Sequence, residues 1–202
     1  MKNRFFVSVC AVVLAMVLLL PGCSNKGEPS NHSKYASALG LSKEEACKII
    51  GIRQEEMTEH VIETFSTPLK EELAGQTFDV HLSFNALTEE EELLQIIYRA
   101  IYPDLSDATV QAVDAIVAAL GEQYGEPSHQ NDLREKDDQI PKGHTCWDLT
   151  ETASQTLSAY MKQLEEEYGG PAYYELELQI SEDEGACVVT LRYKVGVIPS
   201  KK

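Results

Sequence analysis

The sequence is short of positive charge. Its 202 residues include 17 lysines and arginines against 33 aspartates and glutamates, a formal net charge of −16 at pH 7. A chain of this charge is repelled by phosphate backbones and by anionic lipid headgroups. The composition therefore excludes nucleic-acid binding through charge, and we predict no nucleic-acid partner.

Cysteine is also scarce, with five residues in the whole chain. Cys10 and Cys23 belong to an apolar N-terminal region, which leaves Cys47, Cys146 and Cys187 for a folded domain. An odd number permits one disulfide and one free thiol. We favour three reduced, buried cysteines that pack as small apolar side chains.

The common catalytic signatures are missing. The chain has no Gly-rich phosphate loop, no Gly-x-Ser-x-Gly and no His-Glu-x-x-His. Its acidic groups, at Asp137-Asp138 and at Glu182-Asp183-Glu184, lack the alternating oxygen ligands and central glycine of a calcium loop. We therefore predict no catalytic residue, no metal site and no cofactor.

The sequence does have a strongly apolar N-terminal segment. Lys2 and Arg4 precede an apolar run from Phe5 to Leu20, and Pro21-Gly22-Cys23 closes it. A basic start, an apolar run and small residues at the end are typical of a secretory signal, which is removed from the mature protein. The run is short for a membrane-spanning helix, which needs about 20 apolar residues.

This segment resembles the signal peptides of bacterial lipoproteins. Leu20, Gly22 and Cys23 match that family's pattern of a leucine, two mostly small residues and a cysteine. The resemblance implies cleavage between Gly22 and Cys23 and acylation of the Cys23 thiol. Two or more acyl chains hold a protein stably, because each buried CH₂ contributes about 0.8 kcal/mol. We therefore predict a signal peptide at 1–22 and a lipid-anchored protein on the extracytoplasmic face of the bacterial cell membrane.

The mature chain divides into a tether and a folded part. Ser24 to Ser33 is polar and contains Gly and Pro, so it cannot bury a core. We assign 23–33 to the lipidated cysteine and tether, and 34–202 to an α+β extracytoplasmic domain. Its length allows one domain or two.

Helical signals occur three times. Ser42 and Glu45 form a capping box for a short helix that ends at Gly51. Two long amphipathic helices follow. The first has the candidate caps Ser106 and Asp107, and the second begins with a capping box of Thr152 and Gln155. They end in the similar sequences Tyr-Gly-Glu-Pro and Tyr-Gly-Gly-Pro, which would be consistent with a degenerate helix–strand repeat. We interpret both endings as helix stops, because Gly accepts the left-handed conformation and Pro prevents continuation.

Strand signals fill the rest of the chain. Alternating apolar residues predict strands around 78–84, 145–149, 174–180 and 187–193, and residues 61–66 form a plausible but less regular strand. Leu93 to Tyr102 is apolar almost all round, and we assign it to a buried strand although Thr88 and Glu91 would suit a helix start. Strands mixed with helices predict an α+β fold with a largely antiparallel sheet packed against two long helices.

The last two strands predict a hairpin. Their apolar faces fall at even and odd positions respectively, so opposed residue numbers must sum to an odd value. Among such registers we choose Leu178 opposite Val189, with Ser181 to Ala186 as the loop. This register also sets Glu175 against Arg192.

The best candidate for chemistry is the group His144, Cys146 and Asp148, which would share one face of a strand. A Cys–His nucleophile or a metal site can be built from these residue types. Neighbours two apart on a strand lie roughly 7 Å apart, which is long for a direct contact. We therefore interpret the three as the solvent side of a strand that Trp147 anchors in the core.

The functional hypothesis is a non-catalytic binding or interaction module. It would be held to the membrane by its lipid anchor and would bind an unknown protein or small molecule. One alternative is an inhibitor or immunity-type protein whose acidic surface covers a basic target. Another is a thiol-dependent hydrolase that uses His144 and Cys146.

Overall fold

Strands dominate the computed structural model, which describes residues 35–61, 63–131, 143–198 and the backbone of 136–137 and 140–141. The predicted signal peptide, Cys23 and the tether lie outside the described residues. The strands in that part of the chain are β1 (Thr58–Val61), β2 (Thr64–Leu73), β3 (Gln76–Phe84), β4 (Leu93–Tyr102), β5 (His129–Gln130), β6 (Lys136–Asp137), β7 (Ile140–Pro141), β8 (His144–Asp148), β9 (Ala172–Asp183) and β10 (Ala186–Val197).

Eight of these strands form one antiparallel sheet in the order β1-β2-β3-β4-β10-β9-β8-β5, and β6 pairs separately with β7. The first four strands follow one another along the chain as a meander. The last strand, β10, then pairs with β4, so the N-terminal meander and the C-terminal strands join in the middle of the sheet, while β1 lies at one edge. The segment 93–102, assigned from sequence to a buried strand, is confirmed as β4.

Three α-helices accompany the sheet in the described residues: α1 (Lys43–Ile50), α2 (Asp107–Tyr124) and α3 (Gln155–Tyr168). A serine hydroxyl accepts a backbone N–H at the start of each helix, from Ser42, Ser106 and Ser154 respectively. The expected cap Thr152 lies instead in a 3₁₀ turn, Thr150–Thr152, so α3 begins later than the sequence analysis proposed. None of the described helices is both long and apolar enough to cross a membrane.

The predicted architecture, a sheet packed against two long helices, is wrong. The described chain is organised by one eight-stranded sheet with three helices, not by a helix pair that covers a smaller sheet. The outer strands β1 and β2 are mostly exposed or half-buried and lack a clean apolar alternation, so the sequence indicated only one impure strand around 61–66 in place of the two. The segment before β1 also covers core, because Ala38 and Leu39 are fully buried in it. Backbone hydrogen bonds from Gly40 N–H to the Leu93 carbonyl and from Leu93 N–H to the Leu41 carbonyl attach this segment to β4.

One face of the sheet carries the apolar core. Buried side chains alternate along β3, β4, β9 and β10, and they pack with apolar residues of the helices. Trp147 of β8 is 1% exposed, and its indole N–H donates to the Gly125 carbonyl at 3.1 Å. Tyr193 and Tyr124 place their hydroxyl oxygens 2.6 Å apart within this core. The opposite face is more polar, and it carries the candidate site.

The β9–β10 hairpin has the predicted parity but another register. Leu178 lies opposite Leu191 and not opposite Val189, although all three side chains are buried on the core face. On the polar face Glu177, rather than Glu175, lies opposite Arg192. The predicted register is therefore wrong by two residues, while the assignment of each residue to its face is correct.

Candidate functional site

The candidate site lies on the polar face of β8, β9 and β10. Side chains alternate along a strand, so Thr145 and Trp147 enter the core while His144 and Cys146 face the other way. Cys146 lies opposite Glu177 in the β8–β9 ladder, and Glu177 lies opposite Arg192 in the β9–β10 ladder. Strand pairing therefore brings together residues that are distant in the sequence.

His144 and Cys146 are in direct contact, against the expectation from their spacing. The Cys146 Sγ lies 3.2 Å from the His144 Nε2. The same nitrogen lies 2.6 Å from the Glu177 Oε1. Side chains on a strand lean along its direction, so the two functional atoms can meet although their Cα atoms are far apart. The structure thus assembles two of the three sequence candidates with Glu177, which the sequence analysis did not identify.

Asp148 does not join this cluster. Its Oδ1 accepts the backbone N–H of Thr150 at 3.0 Å, and its side chain is exposed. Hydrogen bonds from Thr150 hold the pKa of the Asp148 carboxyl below its usual value. Asp148 therefore stabilises the turn that follows β8.

In the described part of the chain, the acidic residues 182–184 considered for calcium form no comparable cluster. Asp183 is paired with Arg99, whose Nη2 lies 3.0 Å from the Asp183 Oδ2. Asp138 lies outside the described residues, and of Asp137 only the backbone is described.

Two cations hold the other oxygen of Glu177. The Oε2 lies 3.2 Å from Arg192 Nη1 and 3.0 Å from Lys194 Nζ, and Lys194 also reaches Glu175 Oε1 at 2.8 Å. Burial alone would raise the pKa of Glu177, but Lys194, His144 and Arg192 outweigh it and hold that pKa below its usual value. Glu177 is therefore a carboxylate at neutral pH, with one oxygen toward the cations and one toward His144.

The Cys146 thiol is protonated at neutral pH. It is 7% exposed, and burial raises its pKa to about 11, assisted by the negative charges of Glu175 and Glu177. A thiol of this kind is a weak nucleophile, because the thiolate is the reactive form.

His129 borders the cluster from the neighbouring strand. It lies opposite Cys146 in the β5–β8 ladder, so both side chains are on the polar face. Its ring centroid is 5.7 Å from that of His144. Two further cysteines, Cys47 and Cys187, are buried, and like Cys146 they are reduced in this structure.

The shared nitrogen of His144 limits what the cluster can do. In a Cys–His–carboxylate nucleophile, one ring nitrogen accepts the thiol proton and the other is held by the carboxylate. Here Nε2 faces both Cys146 and Glu177. A nitrogen, a sulfur and an oxygen converge instead, all within 4.8 Å of one another. The arrangement resembles a set of ligands more closely than a proton relay.

A second feature is an apolar groove at the end of α3. Its volume is about 340 Å³. Its walls are Asn85, Leu87, Leu94, Leu164, Tyr168, Val195, Gly196 and Val197. Leu87 is 82% exposed and Tyr168 is 46% exposed, although both are large and apolar. Exposed apolar side chains gathered at a groove are typical of a surface that binds a partner.

Acidic residues lie near two parts of this groove. Glu89 and Glu90 are exposed on the loop that also carries Leu87, and Glu92 and Glu167 act on the Tyr168 side chain. Desolvation, and then the carboxylates of Glu167 and Glu92, raise the pKa of the Tyr168 hydroxyl. The groove therefore combines an apolar floor with negative charge at its margin.

Comparison with known proteins identifies no relative: no family model, no curated protein and no solved structure matches this chain.

Proposed function

We propose that the protein is a lipid-anchored interaction module on the extracytoplasmic face of the bacterial cell membrane, and that its groove binds a basic, amphipathic segment of a partner protein. The observation that carries the proposal is the groove itself. Leu87 and Tyr168 expose large apolar surfaces at its walls. An amphipathic helix or strand would cover them with its apolar face.

Charge complementarity selects the kind of partner. The chain has a net charge of −16, and the carboxylates of Glu167 and Glu92 lie near Tyr168 in the groove wall. Opposite charges accelerate association and reject like-charged competitors. A partner whose polar face carries Lys and Arg therefore fits this surface, whereas an acidic partner does not.

The hydrolase alternative has less support. It needs a thiolate at Cys146, but burial raises the pKa of this thiol to about 11. A thiol-reactive probe separates the two hypotheses. The interaction module predicts slow labelling of Cys146 at neutral pH, faster as the pH approaches 11 or when denaturant is added. Rapid labelling of Cys146 alone at neutral pH would favour the hydrolase.

The groove is tested with a synthetic amphipathic helix of leucine and lysine, labelled for fluorescence anisotropy. The wild-type chain should bind it, with an affinity that falls as salt is added. Leu87→Ser combined with Tyr168→Ser should weaken binding at least tenfold. Val61→Ser is the matched control, because Val61 is 68% exposed and does not line the groove.

Two results would contradict the proposal. One is equal binding by the groove variant and the Val61→Ser control. The other is equal binding of a helix in which glutamate replaces lysine, because the acidic margin would then select nothing.

The anchor is tested separately at Cys23. Cys23→Ala should release the protein from membranes or leave the precursor uncleaved, while the domain still folds. A correctly cleaved Cys23→Ala product that remained in the membrane fraction would refute lipid anchoring through this residue.

A further inference from the structure

Three different donor atoms meet on the polar face of the sheet without a catalytic geometry to explain them. They are the Nε2 of His144, the Sγ of Cys146 and the Oε1 of Glu177, all within 4.8 Å. Cys146 and Glu177 are 7% and 8% exposed, so neither is a loose surface group. Thiolate, imidazole and carboxylate are the ligands that Zn²⁺ takes in proteins.

We propose that His144, Cys146 and Glu177 form a binding site for a borderline divalent transition-metal ion of the Zn²⁺ class. Binding would form metal bonds to Nε2, Sγ and Oε1, and the thiol proton would pass to solvent. Three protein ligands leave a fourth position for water or for another side chain.

The donor spacings suit a small ion. Around tetrahedral Zn²⁺, bonds of about 2.0–2.3 Å place neighbouring ligand atoms roughly 3.4–3.6 Å apart. The Cys146 Sγ and His144 Nε2 are separated by 3.2 Å, and the His144 Nε2 and Glu177 Oε1 by 2.6 Å. Both of these distances must therefore increase by less than about 1 Å, which rotation of the half-buried His144 side chain can supply.

The surroundings orient one carboxylate oxygen toward the site. Arg192 and Lys194 hold the Oε2 of Glu177, so its Oε1 remains directed at His144. Hydrogen bonds of this kind from groups outside the metal site are a regular feature of protein metal centres. The negative charges of the Cys146 thiolate and of the Glu175 and Glu177 carboxylates would partly balance the positive charges of Arg192, Lys194 and the metal ion.

His129 is the side chain best placed to complete the coordination. It lies on the same face opposite Cys146, with its ring centroid 5.7 Å from that of His144. His129 is exposed and its strand has only two residues, so a small shift of β5 would bring the ring closer. Its contribution should be smaller than that of the three clustered residues.

Cobalt provides the test, because Co²⁺ reports its ligands by colour. The full chain, purified in detergent with its thiols reduced, is titrated with Co²⁺. We expect visible d–d bands of a tetrahedral site and a thiolate-to-cobalt band in the near ultraviolet, both abolished by Zn²⁺. Cys146→Ser should remove the thiolate band. His144→Ala and Glu177→Gln should weaken Co²⁺ affinity at least tenfold, and His129→Ala less than tenfold.

Matched controls come from the same protein. Cys187 is also a buried cysteine, and His81 lies beside another histidine, His60, with ring centroids 6.2 Å apart. Cys187→Ser and His81→Ala should leave the cobalt spectrum unchanged. A second measurement uses only the wild type, in which Zn²⁺ should slow alkylation of Cys146 but not of Cys187.

The proposal fails if the wild-type chain gives no thiolate-to-cobalt band at micromolar Co²⁺. It also fails if the band persists in Cys146→Ser, or if Zn²⁺ leaves alkylation of Cys146 unchanged. Because the groove lies on other residues, none of these results decides the proposed interaction function.

Discussion

Lys194 Nζ lies 3.0 Å from Glu177 Oε2, and the two side chains are only 21% and 10% exposed. Arg192 approaches the same oxygen from the opposed position on β10. The carboxylate thus lies between two cations and a histidine, and Glu175 pairs with only one of those cations, Lys194. The stability of β8, β9 and β10 should depend on the Glu177 carboxylate more than on an ordinary surface ion pair.

Glu177→Gln should lower the free energy of unfolding by about 1–3 kcal/mol, because it leaves the partly buried Arg192 without its charged partner and Lys194 with Glu175 alone. Asp79→Asn is the control. Asp79 pairs with Lys70 at 2.6 Å, but these side chains are 54% and 66% exposed. Such a pair contributes roughly 0–1 kcal/mol. Urea denaturation at pH 7 measures both variants, and equal losses would show that burial of the Glu177 pair has no consequence.

The same residue predicts a pH dependence. The pKa of Glu177 is lower in the folded protein than its ordinary value of 4.5, so protons bind the unfolded chain more readily. The contribution of Glu177 is therefore present above about pH 4.5 and is lost as the pH falls through the folded pKa. The stability difference between wild type and Glu177→Gln should shrink over this range. Urea denaturation at pH 7, 5 and 3.5 would test this, and a constant difference would contradict it.

The β9–β10 turn yields a third prediction. Glu184 and Gly185 occupy the two central positions of the hairpin, with φ of 51° and 87°. Two successive positive φ values define a type I′ turn, in which Asn-Gly is preferred. Glu184→Asn should raise the free energy of unfolding by a few tenths of a kcal/mol, and Gly185→Ala should lower it by about 1–2 kcal/mol. Thermal or urea unfolding would check the signs, and a stabilising Gly185→Ala would show that the turn is of another type.

This turn also explains why the hairpin register was predicted incorrectly. The apolar alternation fixes which face each residue occupies, and that part was correct for Leu178 and Val189. It does not distinguish registers that differ by two residues. The turn decides among them, and the Glu-Gly pair at its centre is a weaker signal than Asn-Gly. The prediction assumed a longer loop, 181–186, and therefore placed Leu178 opposite Val189 instead of Leu191.

The candidate site was only partly predictable for a related reason. His144 and Cys146 could be recognised because they alternate on one strand. Glu177 lies 31 positions after Cys146 in the sequence and joins it only through the β8–β9 ladder. The separation of Cα atoms along the strand also argued against a contact that the side chains do make. The composition of the site therefore depends on strand order and on side-chain direction. Neither can be read from a local sequence pattern.

The prediction of the overall architecture was wrong chiefly at one edge of the sheet. Long amphipathic helices produce a strong periodic signal, so α2 and α3 were given too large a part in the predicted fold. The outer strands β1 and β2 bury little and therefore carry few alternating apolar residues. Pairing with β3 determines that β2 is a strand. The secondary structure of β1 and β2 is therefore determined by tertiary contacts. Their sequences show little alternation, because neither strand buries a full apolar face in the core.

Two glycines near the ends of secondary structure predict effects of opposite sign. A Cβ added at Gly121, within α2, would meet nothing within 4 Å, whereas one at Gly170 would lie 2.0 Å from the Ile198 carbonyl oxygen. Gly121→Ala should therefore stabilise the protein by about 0.5–1 kcal/mol, because alanine loses less conformational freedom in a helix.

Gly170→Ala should destabilise the protein by roughly 1–3 kcal/mol, because the obstructing atom belongs to the backbone. The Ile198 N–H also donates to Pro171 at 3.0 Å, so the two segments cannot separate without losing that bond. Urea denaturation of both variants under one set of conditions provides the measurement. If Gly170→Ala were as stable as wild type, the close approach of 170–171 to the end of β10 would be wrong, and with it the shape of the neighbouring groove wall at Val197.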